Sequence, residues 1–166
     1  MEGDYLFQVG DKIVYPMHGA GVVKAIEDKE ILGKTQQYYI IQMLIDNMQV
    51  MIPTNNVDNI GIRPVSDRPI LKKVLQEFQT EETEDSLPWK QRHRKNLMKM
   101  QNGEIHDVAE VIHDLMSRSE EKKLNSSEKH MLVKAKKIFI SELELIKGIN
   151  NTRAIDLFNA QLKKSC

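Results

Sequence analysis

The chain has 166 residues, enough for one ordinary domain or two small ones, and its 24 basic and 24 acidic side chains cancel, so total charge excludes neither an acidic nor a basic partner. Cys166 is the sole cysteine, which excludes an intramolecular disulfide, a thiolate metal cluster and a supported cysteine nucleophile and points to a reducing compartment. Neither "MEGDYLFQVG" nor any later stretch has the apolar run of a signal peptide or of a membrane helix, which needs ~18 residues, so a soluble cytoplasmic protein is expected.

The first 65 residues read as strands. "KIVYP" (Lys12–Pro16), "AGVVKAIED" (Ala20–Asp28), "QYYIIQML" (Gln37–Leu44) and "MQVMIP" (Met48–Pro53) are short, rich in Val, Ile and Tyr, and separated by "HGAG", "LGKT" and "IDNM". Asp46-Asn47 predicts a tight hairpin, because these residues tolerate positive φ. So many strands in so little chain must curl to leave few free edges, which predicts a small, strongly bent barrel.

After "IGIRPVSDRP" the apolar period changes from 2 to 3.6. Ile70, Leu71, Val74, Leu75 and Phe78 share a helical face behind Pro69, and the acidic run "QTEETEDS" (Gln79–Ser86) has nothing to bury and reads as a linker or exposed loop. The remainder reads as helix. Pro88 suits a first turn that runs to about Gln101 and stops at Asn102-Gly103. A second helix carries Ile105, Val108, Ala109, Ile112, Leu115 and Met116. A third, capped by Ser126 or Ser127, buries Met131, Leu132, Ala135, Ile138, Phe139, Leu143 and Ile146 and ends at Gly148; a last one offers Ile155, Phe158 and Leu162. Connections this short predict a compact bundle.

Charge is unevenly spread along this plan. Residues 1–65 hold 5 basic and 8 acidic side chains, residues 66–86 hold 3 and 6, and residues 87–166 hold 16 and 10, so only the C-terminal part is suited to a polyanion. It opens with "LPWKQRHRKN", where the only tryptophan, Trp89, precedes Lys90, Arg92, His93, Arg94 and Lys95. An indole so placed either anchors a core or presents an apolar plate among cations. Lys129, Lys134, Lys136 and Lys137 form a second basic group, whose first members stand near a helix N-terminus able to add backbone N–H groups to phosphate binding.

"VGDKIVYPMHGAGVVKAIEDKEILGKTQQYYII" with "VMIP" and "NIGIRPV" resembles the N-terminal RNA-polymerase-interacting domain of the CarD/CdnL bacterial transcription factors, a domain shared with the transcription-repair coupling factor. "PWKQRHRKNLMKMQNGEIHDVAEVIHDLMSRSEEKKLNSSEKHMLVKAKKIFISEL" is similar to that family's helical C-terminal domain, so the resemblance spans most of the chain. It implies an α+β chain of two domains: a Tudor-like antiparallel β-barrel over residues 1–66 and an all-α domain over 87–166, joined by a helix and acidic linker over 67–86. It implies that the barrel docks on the polymerase β subunit and that the helical domain meets promoter DNA at the upstream edge of the melted region, stabilising the open complex without sequence-specific readout. Trp89 would wedge into the minor groove, with Lys90, Arg92, Arg94, Lys95, Lys129 and Lys134 on or beside phosphates. Polymerase would be met by the second strand and the "MQVMIP" strand, hence Lys29, Val50, Met51, Ile52 and Pro53. Many relatives carry arginine where this chain has Lys29 and Met51, so the second charge is lost here. The protein would act as a monomer near the nucleoid through polymerase.

No P-loop, GxSxG, HExxH or CxxC motif supports an enzyme, and no cofactor or metal is called for. His106, Glu110 and His113 have the i, i+4, i+7 spacing of a ligand set, although adjacent apolar residues favour a solvated or helix-packing role. His18 reads as a turn residue. The rival to DNA contact is a protein-interaction adaptor with two protein-binding domains, in which the basic surface serves only solubility.

Overall fold

The computed structural model of the chain describes residues 6–80 and 87–163; of the acidic run Gln79–Ser86 expected as a linker or loop, Gln79 and Thr80 close a helix, and 81–86, like Cys166, lie outside the described residues. Strands β1 (Lys12–Tyr15), β2 (Gly19–Ile31), β3 (Lys34–Met43), β4 (Gln49–Pro53) and β5 (Arg63–Pro64) form one antiparallel sheet in the order β4-β3-β2-β1-β5. Alternation sends Ile13, Val23, Tyr39, Ile41, Met43 and Ile52 to one side, where Phe7, Val57 and Ile62 complete a core of their own. A bulge between Val23 and Ala25 bends β2, and the chain that includes the single turn α1 (Val57–Ile60) runs from β4 at one edge of the sheet to β5 at the other. This is the expected bent antiparallel unit. Asp46 and Asn47 do take positive φ, 58° and 50°, in the β3–β4 connection.

β2 and β3 run further than their apolar pattern suggested, to a two-residue turn at Leu32-Gly33. Every residue from Glu27 to Gln37 is exposed, so this arm buries nothing and has no alternation to read.

Helices α2 (Arg68–Thr80), α3 (Trp89–Asn102), α4 (Ile105–Glu121), α5 (Ser126–Lys147) and α6 (Asn151–Lys163) surround a second core. Leu71, Val74 and Phe78 of α2 lie in it, and Phe78 meets Phe139 and Phe158 edge-on at ring separations of 5.8 and 6.2 Å. Ile70 and Ile155, expected on buried faces, are exposed instead. Each sits one residue, about 100° of helical rotation, away from the stripe that packs: Leu71, Val74 and Phe78 in α2, and Ala154 and Phe158 in α6. The cap of α5 is Asn125 rather than a serine. Only from Asn125 does a glutamate fall three residues on, and Asn125 and Glu128 exchange side-chain and backbone bonds as a capping box.

The sheet packs directly on α5, which therefore has two buried faces. Ser141 Oγ accepts the backbone N–H of Ala20 at 2.9 Å. Glu142 receives Arg63 of β5 on both carboxylate oxygens, at 2.7 and 2.9 Å, and the Ser66 N–H at 2.8 Å. Arg63 also donates to the Gly103 carbonyl at 2.8 Å, tying in the α3–α4 connection. Gly19 and Gly103 have positive φ here, and a Cβ at either would meet Ser141 Oγ or the Pro16 ring within 2.9 Å.

Candidate nucleic-acid and protein interfaces

Trp89 is the first residue of α3, directly after Pro88, whose extended ψ of 151° puts it just outside the helix. The indole is 43% exposed, with its ring centroid 6.0 Å from that of His93. It begins the stripe Trp89, Arg92, His93, Asn96, Met100, which turns inward: Asn96 and Met100 are buried, and Asn96 donates to Asp114 at 3.0 Å. Trp89 is thus the exposed end of an otherwise packed face, neither a core anchor nor a free side chain.

The cations expected around it divide into two groups. Lys90, Arg94 and Lys95 point outward from α3, and Lys129 is exposed in the first turn of α5. Arg92 is different. Its side chain is 18% exposed and pairs with Glu128 Oε2 at 3.1 Å, while Nη1 donates to the Leu87 carbonyl at 3.1 Å. Trp89 also borders a cavity with Lys122, Lys123 and Asn125 from the α4–α5 connection. Sequence reasoning missed Lys122 and Lys123: their adjacency is visible along the chain, but only the fold brings that connection beside Trp89.

On the sheet, β4 pairs with β3 along one side only among the described strands. Ile52 points into the core and is 3% exposed, so it can offer a partner only its backbone; Val50 is half-buried, and Met51 is 45% exposed. Met51 stands opposite Ile40, Pro53 opposite Tyr38, and Lys29 opposite Gln36. Paired residues share a face and Gln36, Tyr38 and Ile40 alternate along β3, so Lys29, Tyr38, Ile40, Met51 and Pro53 lie together on the side away from the sheet's core. Tyr38 and Ile40 are themselves buried, at 8% and 9% exposed, so Lys29, Met51 and part of Pro53 are what this face presents at the surface. Lys29 is paired with Glu27 at 3.1 Å.

A cavity of about 620 Å³ separates the β1–β2 turn and the β3–β4 connection from α5, lined by Met17, Met43, Met48 and Val50 on the sheet side and His130, Val133, Lys134 and Lys137 on the helix. Lys134 is therefore in this cleft, where burial first and then the Lys134 charge lower the pKa of His18. His106 has its two ring nitrogens against Glu77 (2.7 Å) and Glu110 (2.6 Å), and His113 turns toward the Phe78 ring, so the i, i+4, i+7 spacing does not form a ligand set. No group of three such side chains among the described residues could hold a metal, and no described helix is long and apolar enough to cross a membrane.

Two family models divide the sequence along these lines. "CarD-like/TRCF RID domain" matches residues 7–66 and "CarD, C-terminal domain" matches residues 73–159. The chain belongs to the CarD family. It is 55% identical over 144 residues to the Bacillus subtilis (strain 168) protein named "Putative transcription factor YdeB", covering 87% of this chain and 94% of that one. Among solved structures it is similar to the 72-residue N-terminal domain of Myxococcus xanthus CarD, at 33% identity over 38% of this chain and 84% of that one, with a TM-score of 0.31. The corresponding values for CdnLNt from the same organism are 38%, 39%, 92% and 0.31. In this CarD-family chain the first match contains the Lys29–Met51 face, and the second contains Trp89, its cations and the α5 face that receives the sheet.

Proposed function

We propose that this protein is a transcription regulator that docks on the β subunit of RNA polymerase through the face and free edge of β4, and holds promoter DNA at the upstream edge of the bubble through α3 and the start of α5. The observation that carries the reading is Trp89: an apolar plate left 43% exposed at a helix start, bordered by Lys122 and Lys123 and near outward cations of the same helix. An aromatic wedge among phosphate-binding cations is how minor-groove contacts are built. Unstacking a base step costs a few kcal/mol, so such a wedge gains most where polymerase has already opened the duplex. Lys90, Arg94, Lys95 and Lys129 then set affinity and register without reading sequence, whereas Lys134 lines the cleft between α5 and the sheet beside His18 and lies off that strip. The CarD-like/TRCF RID match supports polymerase as the partner of the sheet. An edge strand adding to a strand of the partner suits β4, whose outward Met51 makes an apolar contact where an arginine would form an ion pair.

The test is open-complex lifetime at one promoter with and without the protein, together with DNA association across a salt series. A longer lifetime and a steep fall in association with salt are expected. Unchanged lifetime with salt-insensitive association would favour the adaptor reading and overturn this one.

A further inference from the structure

Arg92 belongs to the basic run after Trp89, yet both of its hydrogen bonds are made within the fold. Nη2 reaches Glu128 Oε2 at 3.1 Å and Nη1 reaches the Leu87 carbonyl at 3.1 Å, two residues before the indole. Glu128 is 7% exposed and belongs to the capping box that starts α5, accepting the Asn125 N–H on its other oxygen at 3.4 Å. Beneath them Asp114 joins Asn96 of α3 to Arg118 of α4, each at 3.0 Å. The start of α3 has no side-chain cap, and the guanidinium, being a donor, satisfies none of its free N–H groups; it ties down the Leu87 carbonyl just ahead of Trp89 instead.

We infer that Arg92 is a positioning residue, clamping the Leu87–Trp89 segment to the start of α5 through Glu128 so that the indole is presented in one orientation. The proposal rests on the DNA-wedge reading for its functional consequence only. A charge 18% exposed with a carboxylate partner that is itself buried cannot leave for a phosphate without stranding Glu128. A planar guanidinium is needed because it spans a carbonyl and a carboxylate at once, which a lysine ammonium on a flexible stem does poorly. The gain is pre-organisation, since ordering a rotamer-rich side chain on binding costs ~0.5–1.5 kcal/mol, or about 2- to 12-fold in the stability of the complex.

Two variants of the full chain separate a clamp from a phosphate contact. Glu128→Gln keeps the capping box, which accepts either residue, and removes the negative charge. If Arg92 bound phosphate, that variant would free it and strengthen DNA association; the clamp requires open-complex lifetime to fall about 2- to 12-fold. Arg92→Lys keeps the charge, so a phosphate contact would preserve lifetime, whereas the clamp requires a similar fall. Because Trp89 is the only tryptophan, its fluorescence reports the clamp without polymerase or DNA. Both variants should show faster indole rotation and readier acrylamide quenching, read at a temperature where each is fully folded by circular dichroism. If quenching and anisotropy match the unsubstituted protein, or if Glu128→Gln lengthens the open-complex lifetime, the clamp is overturned. If Trp89→Ala leaves lifetime unchanged, the wedge reading falls, and the fluorescence result alone still decides the clamp.

Discussion

Replacing Arg63 by alanine should uncouple the two halves of the molecule before it harms the core of either. Arg63 is 14% exposed and Glu142 3%, and the guanidinium supplies both carboxylate oxygens as well as the Gly103 carbonyl. In Arg63→Ala the carboxylate keeps only the Ser66 N–H inside the interface. A buried charge stripped of its partner costs ~3–5 kcal/mol, and a chain of this size loses about 2–4 °C of melting temperature per kcal/mol, so a fall of roughly 6–20 °C is expected by calorimetry. That fall reflects an orphaned charge rather than the value of the pair, so Arg63→Met with Glu142→Leu should recover most of it, because well-packed apolar groups commonly replace a buried pair at little cost. Polymerase binding by Arg63→Ala should persist while open-complex lifetime shortens, since the sheet and the α3 surface proposed to meet DNA no longer keep a fixed relation. An Arg63→Ala protein within ~1 kcal/mol of the parent, or a double variant as unstable as the two single variants summed, would overturn the orphaned-charge explanation.

Trp89→Ala should shorten open-complex lifetime by roughly 5- to 150-fold, the equivalent of ~1–3 kcal/mol of base stacking, while destabilising the fold by less than the ~3–5 kcal/mol of a fully buried tryptophan; paired lifetime and denaturation measurements check both. Neutralising Arg94 should weaken association about equally on unrelated DNA sequences and flatten the salt slope by ~1, the share of one phosphate, with a change confined to one sequence indicating base readout instead. A fragment of residues 1–68 retains the sheet's own core and is expected to fold and to bind the polymerase β subunit; a folded fragment that fails to bind while the intact chain succeeds would move the docking surface elsewhere. Burial tends to raise the Glu110 pKa, but the Lys99 hydrogen bond and charge, with His106, win and hold it below its ordinary 4.5. Its contribution is therefore present above pH 4.5 and lost as pH falls through the depressed value, and Lys99→Met should make acid unfolding begin at higher pH in a fluorescence titration.

Alternation and turn chemistry in the sequence determine the antiparallel N-terminal unit and the hairpin at Asp46-Asn47, and the 3.6 period determines the helices, because these signals are local and repeat along each element. The resemblance of the motifs determines the family. Which flank of each stripe packs was decided only by the neighbours, hence the exposure of Ile70 and Ile155 and the full burial of Ala154. The second buried face of α5 was invisible for a different reason. Nothing local marks Ser141 and Glu142 as partners of Ala20 and Arg63, which lie 121 and 79 residues away. The same holds for Arg92. In sequence it is one cation among five, and only the arrival of Glu128 from another helix turns it inward and leaves Trp89 as the exposed end of a packed stripe. Charge and composition are summed along the chain, whereas pairing and burial depend on what the tertiary fold brings to each atom.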